Sequence, residues 1–144
     1  MIKINYPSPE FRFKEEEGKE WIFDALRKQW VRLSPEEWVR QNILVYLIKT
    51  LSYPASLIAV EKEISLGTLK KRFDILVYKN AIPWMIIECK EMNIGLNRSV
   101  LEQALNYHIT LQTPYLIITN GKDTLGFLLS NEGVQEIHEF PEFK

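Results

Sequence analysis

Phe73-Asp74-Ile75-Leu76-Val77-Tyr78 and Pro83-Trp84-Met85-Ile86-Ile87-Glu88-Cys89-Lys90 decide how this chain is read. Each is a short apolar run rich in β-branched and aromatic residues. That is the composition of a strand, and the connection around Asn80 makes the pair a hairpin. Each run also carries charge where a buried strand should have none. Asp74 stands near the start of the first; Glu88 and Lys90 close the second. Strand side chains alternate between faces, so Glu88 and Lys90 share one face, roughly 7 Å apart. If Asp74 lies across from Glu88, two carboxylates and an ammonium meet at one point. Charges in such runs are paired, metal-bound or exposed. Two carboxylates with a cation beside them suit a hard divalent ion.

Pairing Asp74 with Glu88 makes a demand on the hairpin. Cross-strand partners share a face, so the register must give an even sum of residue numbers. An odd loop such as Asn80-Ala81-Ile82 does this, and so does a bulge. A tight two-residue turn at Asn80-Ala81 without a bulge pairs Asp74 with Ile87 and turns it to the other face. The absence of Asn-Gly favours the longer loop.

The chain has 144 residues, 46% hydrophobic and 26% charged, the profile of a single soluble domain. At this length roughly 68–70% of the unfolded surface is buried, enough for a true core. No apolar run reaches the roughly 18 residues of a membrane span. The start, Met1-Ile2-Lys3-Ile4-Asn5-Tyr6-Pro7, has no signal-like apolar stretch. One cysteine, Cys89, excludes an internal disulfide and a cysteine-built zinc site, and fits a reducing cytoplasm. The net charge of −1, from 18 basic and 19 acidic residues, neither advertises nor excludes nucleic-acid binding. Lys70-Lys71-Arg72 and Glu15-Glu16-Glu17 are the densest charge runs, and solvated turns are the plain reading of both.

In chain order, Pro7 and Pro9 mark an extended lead-in. Phe11-Arg12-Phe13-Lys14 and Trp21-Ile22-Phe23 form a hairpin about the Glu17-Gly18-Lys19 turn. Residues 25–31 fit a helical turn or a third strand equally well. Ser34-Pro35-Glu36-Glu37 opens a helix, with Ser34 as cap and Glu37 completing a capping box. Its apolar face is Trp38, Ile43, Leu44, Leu47, Ile48 and Leu51, and Pro54 ends it. A strand over 57–64 and a turn at Gly67 precede the central hairpin. Gly95 then breaks the chain, and Asn97 or Ser99 caps a second helix to about Leu111. Strands follow at 115–119 and 125–129, with Asn120-Gly121 between them, then a polar tail from Asn131. The organisation is an N-terminal hairpin (about 11–32), a core (about 34–130) and a tail (131–144) in one domain.

Hydrolysis of a phosphodiester needs a metal on the phosphate, an activated water and relief of developing charge. Asp74, Glu88 and the Cys89 carbonyl are candidate Mg²⁺ ligands, with Lys90 orienting the water or steadying the phosphate. An Asp followed by Glu-x-Lys is also a common chance pattern, and a surface salt-bridge cluster is the competing reading. Trp38 and Trp84 read as core residues, His108 as a polar helix residue, and His138 carries no role.

Asp74 followed by Glu88-Cys89-Lys90 resembles the signature of the PD-(D/E)XK nuclease superfamily, with Phe73 where the motif's name has proline. Glu37 lies on the preceding helix, where many members place a further acidic ligand. Gln103-Ala104-Leu105-Asn106-Tyr107 resembles the Gln-x-x-x-Tyr motif of RecB-like members. More narrowly, Trp21-Ile22-Phe23-Asp24, the 33–41 segment, Lys71-Arg72-Phe73-Asp74 and Thr119-Asn120-Gly121 look like the N-terminal nuclease domain of type I restriction enzyme R subunits. The likeness runs from about Phe11 to Leu129.

The resemblance implies an α/β, restriction-endonuclease-like core with a mixed sheet flanked by helices. It implies a Mg²⁺-dependent DNA endonuclease, with Mn²⁺ able to substitute, acting in restriction or defence with DNA, a second copy or restriction subunits as partners. Asp74, Glu88 and Lys90 are then catalytic, Asp74, Glu88, Cys89 and Glu37 metal-binding, and Gln103, Tyr107 and Arg40 supporting. Gly121-Lys122-Asp123 lacks the phosphate-loop pattern, so no ATP site is expected in this sequence. A non-catalytic binding module on the same fold is the alternative, and a structural subunit is a third.

Overall fold

The computed structural model describes residues 1–144, except the side chains of Leu66, Leu69, Tyr107, His108, Ile109 and Thr110. The N-terminal part is a three-stranded antiparallel sheet: β1 (Phe13–Glu16), β2 (Lys19–Asp24) and β3 (Gln29–Arg32). The open choice over 25–31 is thus resolved as a turn leading into a third strand. Next come α1 (Pro35–Val45), a π-helical turn (Tyr46–Thr50) and a 3₁₀ turn (Ala55–Leu57). The main sheet has six strands in the order β4 (Ile58–Leu66), β5 (Leu69–Lys79), β6 (Ile82–Cys89), β7 (Tyr115–Thr119), β8 (Thr124–Ser130) and β9 (Gly133–Ile137). Among the described residues, only β6 and β7 pair in parallel. The crossover between them carries α2 (Arg98–Leu111), as a parallel connection requires.

The two helices cover opposite faces of this sheet. Ile43, Leu44 and Leu47 from the first helical segment pack on Ile75, Val77, Met85, Ile87 and Ile117. Val100, Leu101, Ala104 and Leu105 of α2 pack on Phe73, Leu76, Ile86, Leu116 and Ile118. A sheet buried on both faces explains why β5 and β6 read as continuous apolar runs. It also explains the cost of a charge within them. Among the described residues, no helix is long and apolar enough to cross a membrane.

The hairpin corrects one expectation. The turn is the tight one: Lys79 pairs with Ile82, and Asn80 (φ +54°) and Ala81 (φ +64°) are both left-handed, the type I′ form. Register is restored by a bulge. Val77 pairs with Met85 but Tyr78 with Pro83, leaving Trp84 as the extra residue. Beyond the bulge Ile75 faces Ile87, so Asp74 and Glu88 are next in register. The absence of Asn-Gly favours the longer loop, but here Ala81 takes the left-handed position that glycine usually fills. Left-handed backbone costs an alanine about 1–2 kcal/mol that glycine avoids. Ala81→Gly is therefore expected to raise stability by about 1 kcal/mol in urea unfolding.

The helix caps follow the sequence. Ser34 Oγ accepts from Glu37 N at 3.0 Å, and Asn97 Oδ1 accepts from Val100 N at 3.0 Å. Trp84 packs edge-on against Tyr115 and Phe143, as a core residue should. Trp38 does not belong to the core: it is 37% exposed, with Phe11 and Phe13 against its ring. The tail is ordered into the fold. It supplies β9, buries Phe140 against Tyr46, and receives a hydrogen bond from Tyr53 Oη at the Pro141 carbonyl, 2.6 Å away.

Candidate active site

Asp74 sits where the pairing of β4 and β5 breaks. Val60 faces Ile75 and Lys62 faces Phe73, and Glu61 between them is left-handed (φ +54°). The Asp74 carboxylate is held by two donors. Its Oδ2 accepts from the Cys89 backbone N at 2.8 Å and its Oδ1 from the Arg40 guanidinium at 2.9 Å. The first contact ties it to the end of β6, beside Glu88. The second ties it to α1.

Glu88 is buried, and its Oε1 has no hydrogen-bond partner among the described residues. It borders a cavity of about 40 Å³ whose walls include Lys71, Lys90, Gln103 and Ala104. A space of this size holds a water or a small ion. Its carboxyl is pushed up to about 7, by burial first and by the neighbouring Asp74 charge second, with Lys71 and Lys90 pulling the other way.

An acid with a raised folded-state pKa favours the folded state while protonated. That stability is present in full below the ordinary value of 4.5 and is lost as pH rises through about 7. Metal-free protein is thus expected to lose stability between these values. Glu88→Gln should flatten that slope, which urea unfolding across the pH range reads directly.

The helix acids divide differently from expectation. Glu37 bonds to Arg40 (2.6 Å), Gln41 (3.0 Å) and Arg27 (3.3 Å), within the junction between α1 and the N-terminal sheet. Its carboxylate therefore turns away from Ser34 and the capping box. Glu36 is the acid within hydrogen-bonding reach of Asp74, and its carboxyl is raised by partial burial and then by the Asp74 charge. Glu36 and Arg40 are four apart and share a helix face, a sequence signal that could have pointed to Glu36. Asp24 also escaped a role. Fully buried, it accepts from the Leu26 and Arg27 backbone N and from Gln41, and so shapes the β2–β3 turn against α1.

Lys90 is half-buried at the cavity, and its backbone N donates to the Thr119 carbonyl at 2.8 Å. Gln103 lines the same cavity from α2. The side chains of Tyr107 and His108 lie outside the described residues. His138 lies at the surface, 3.8 Å from Glu136. The Cys89 thiol is buried and its pKa is pushed up by that burial. Among the described residues no cluster of three or more His, Cys, Asp or Glu side chains is arranged to hold a metal. The donors on hand are two carboxylates and a main-chain carbonyl. They suit Mg²⁺, which binds one or two carboxylates and keeps waters. The unpartnered Glu88 Oε1 is the specific fit to a cation.

Residues 35–141 match the family described as the type I restriction enzyme R protein N terminus (HSDR_N). The chain belongs to this family. Its match begins at α1, so the three-stranded sheet precedes it. Among solved structures, this chain is similar to a fragment assigned as the HsdR subunit of a type I restriction enzyme from Vibrio vulnificus YJ016. The TM-score is 0.56 at 22% identity, over 76% of this chain and 24% of that one. At that identity the likeness is one of fold, and this chain spans about a quarter of its relative's length. No curated protein matches significantly.

Proposed function

We propose that this R-protein N-terminal domain is a metal-dependent DNA endonuclease of the PD-(D/E)XK kind, serving restriction or defence. The observation that carries the reading is the meeting of Asp74 with Glu88, whose buried Oε1 lacks a partner, beside Lys90. Asp74, Glu88 and the Cys89 carbonyl would hold Mg²⁺, or Mn²⁺ in its place, with Glu36 as a nearby third carboxylate. The ion supplies Lewis-acid activation of the phosphate and of water.

The protein's own part is to position and to balance charge. Arg40 and the Cys89 amide fix the Asp74 carboxylate. Lys90 faces the cavity, where its ammonium can steady a phosphate oxygen or orient a water. Gln103 borders the same space. Two strands of a duplex need two cuts, so a second copy or other restriction subunits are the proposed partners.

A non-catalytic module on the same fold is favoured by one observation: Arg40 already neutralises Asp74 at 2.9 Å. Incubation of purified protein with supercoiled plasmid, in Mg²⁺ and in EDTA, separates the two. Mg²⁺-dependent nicking or linearisation supports the nuclease. DNA binding without cleavage, in Mg²⁺ as in EDTA, supports the module.

A further inference from the structure

We infer that the outer face of the N-terminal sheet is a binding platform for single-stranded nucleic acid. The pairing places six side chains there in two rows. Lys14, Trp21 and Arg32 lie across the three strands in register. Phe23 pairs with Trp30, and its backbone N donates to the Arg12 carbonyl, setting Arg12, Phe23 and Trp30 in the second row. Strand alternation puts these six on one face and Ile22, fully buried, on the other.

Every ring on this face carries a cation. The Arg12 guanidinium lies 4.8 Å from the Phe23 ring centre and 5.5 Å from that of Trp30. Lys14 Nζ lies 4.8 Å from Trp30 and 6.0 Å from Trp21, and Arg32 lies 5.6 Å from Trp21. The three rings are half-buried beneath these flexible side chains. The Trp21 indole N–H is buried without an acceptor among the described residues.

Rings alternating with cations are the chemistry of single-strand binding: bases stack on the rings while phosphates draw the cations. A duplex keeps its bases stacked on each other and has none to offer. The charge balance points the same way. The chain's net charge is −1, yet three cations cap this face and one acid, Glu16, reaches Lys14 at 3.0 Å. The platform also has an exit toward the candidate centre. Arg32 lines a surface groove of about 370 Å³ with Arg27, Glu36 and Arg40, and the last two reach Asp74. Delivery of a strand to Asp74 rests on the nuclease reading; the binding itself does not.

The test is fluorescence anisotropy of labelled dT15 with the full chain in EDTA, so that binding is read apart from cleavage. Wild type should bind, with affinity falling steeply with salt and tryptophan emission quenched. Arg12→Ser with Lys14→Ser and Arg32→Ser should weaken binding at least about tenfold and flatten the salt dependence, since each phosphate contact contributes about 0.7 to the slope. These sites are surface cations, and circular dichroism checks the fold. Trp30→Ala should lose most of the quenching. Lys144→Ser, a surface cation outside this sheet, should bind like wild type. The proposal is overturned if dT15 does not bind, if the triple variant binds equally well, if a 15-base-pair duplex binds as tightly without quenching, or if Lys144→Ser weakens binding as much as the triple variant.

Discussion

Asp74→Ala and Lys90→Ala should each lower Mg²⁺-dependent plasmid cleavage by about 10²–10⁴-fold, the range for losing a positioned acid–base or charge-stabilising group. The two variants should fail differently. Asp74 is a proposed ligand, so its loss should also weaken the response to metal, and raising Mg²⁺ should restore part of the rate. Lys90 lines the cavity without being a ligand, so Lys90→Ala should keep its metal dependence and lose rate at every Mg²⁺ concentration. Single-turnover cleavage across a Mg²⁺ series measures both. Rates within about twofold of wild type for either variant would refute the assignment, because a group that serves the reaction cannot be removed at so small a cost.

The second large effect belongs to Arg40. It is 5% exposed and lies between Glu37 Oε1 at 2.6 Å and Asp74 Oδ1 at 2.9 Å. Burial by itself would lower its pKa. The Asp74 hydrogen bond and the Glu37 charge outweigh burial and hold it above the ordinary arginine value. Arg40→Met keeps the apolar stem and removes the charge, leaving two little-exposed carboxylates without that counter-ion. Breaking a buried pair in this way costs about 3–5 kcal/mol. Arg40→Met is therefore expected to unfold at markedly lower urea in metal-free buffer. Mg²⁺ should recover part of the loss, because a cation at Asp74 replaces one of the two contacts. A loss under about 1 kcal/mol would mean that solvent and the other donors to these acids, among them Arg27, Gln41 and the Cys89 amide, balance them without Arg40.

The sheet was legible because its strands are buried on both faces. Ile75 to Val77 and Met85 to Ile87 sit in runs whose short length and β-branched and aromatic content favour a strand over a buried helix. The hairpin's parity demand was legible too, but not its solution. Trp84 as a bulge and Ala81 as a left-handed residue both depend on packing and on strain that no local pattern reports. The strand at Gln29–Arg32 was ambiguous because four residues fit a helical turn equally well. The strand at Gly133–Ile137 was missed because an exposed edge strand needs no apolar face.

At the candidate site, the strand period linked Glu88 to Lys90, and the cross-strand register linked Asp74 to Glu88. The helix acid was harder. Helical phase tells which residues share a face but not which face turns to the sheet. Glu37 is drawn to Arg27 and Gln41, both of which donate to Asp24 at the end of β2, and this leaves Glu36 facing Asp74.

Titrating Mn²⁺ into the metal-free protein by calorimetry, with Glu88→Gln alongside, reaches the central claim most directly. Wild type should show one site per chain, and the folded variant should lose it. No heat from wild type, or an unchanged isotherm from Glu88→Gln, would contradict a cation held between Asp74 and Glu88.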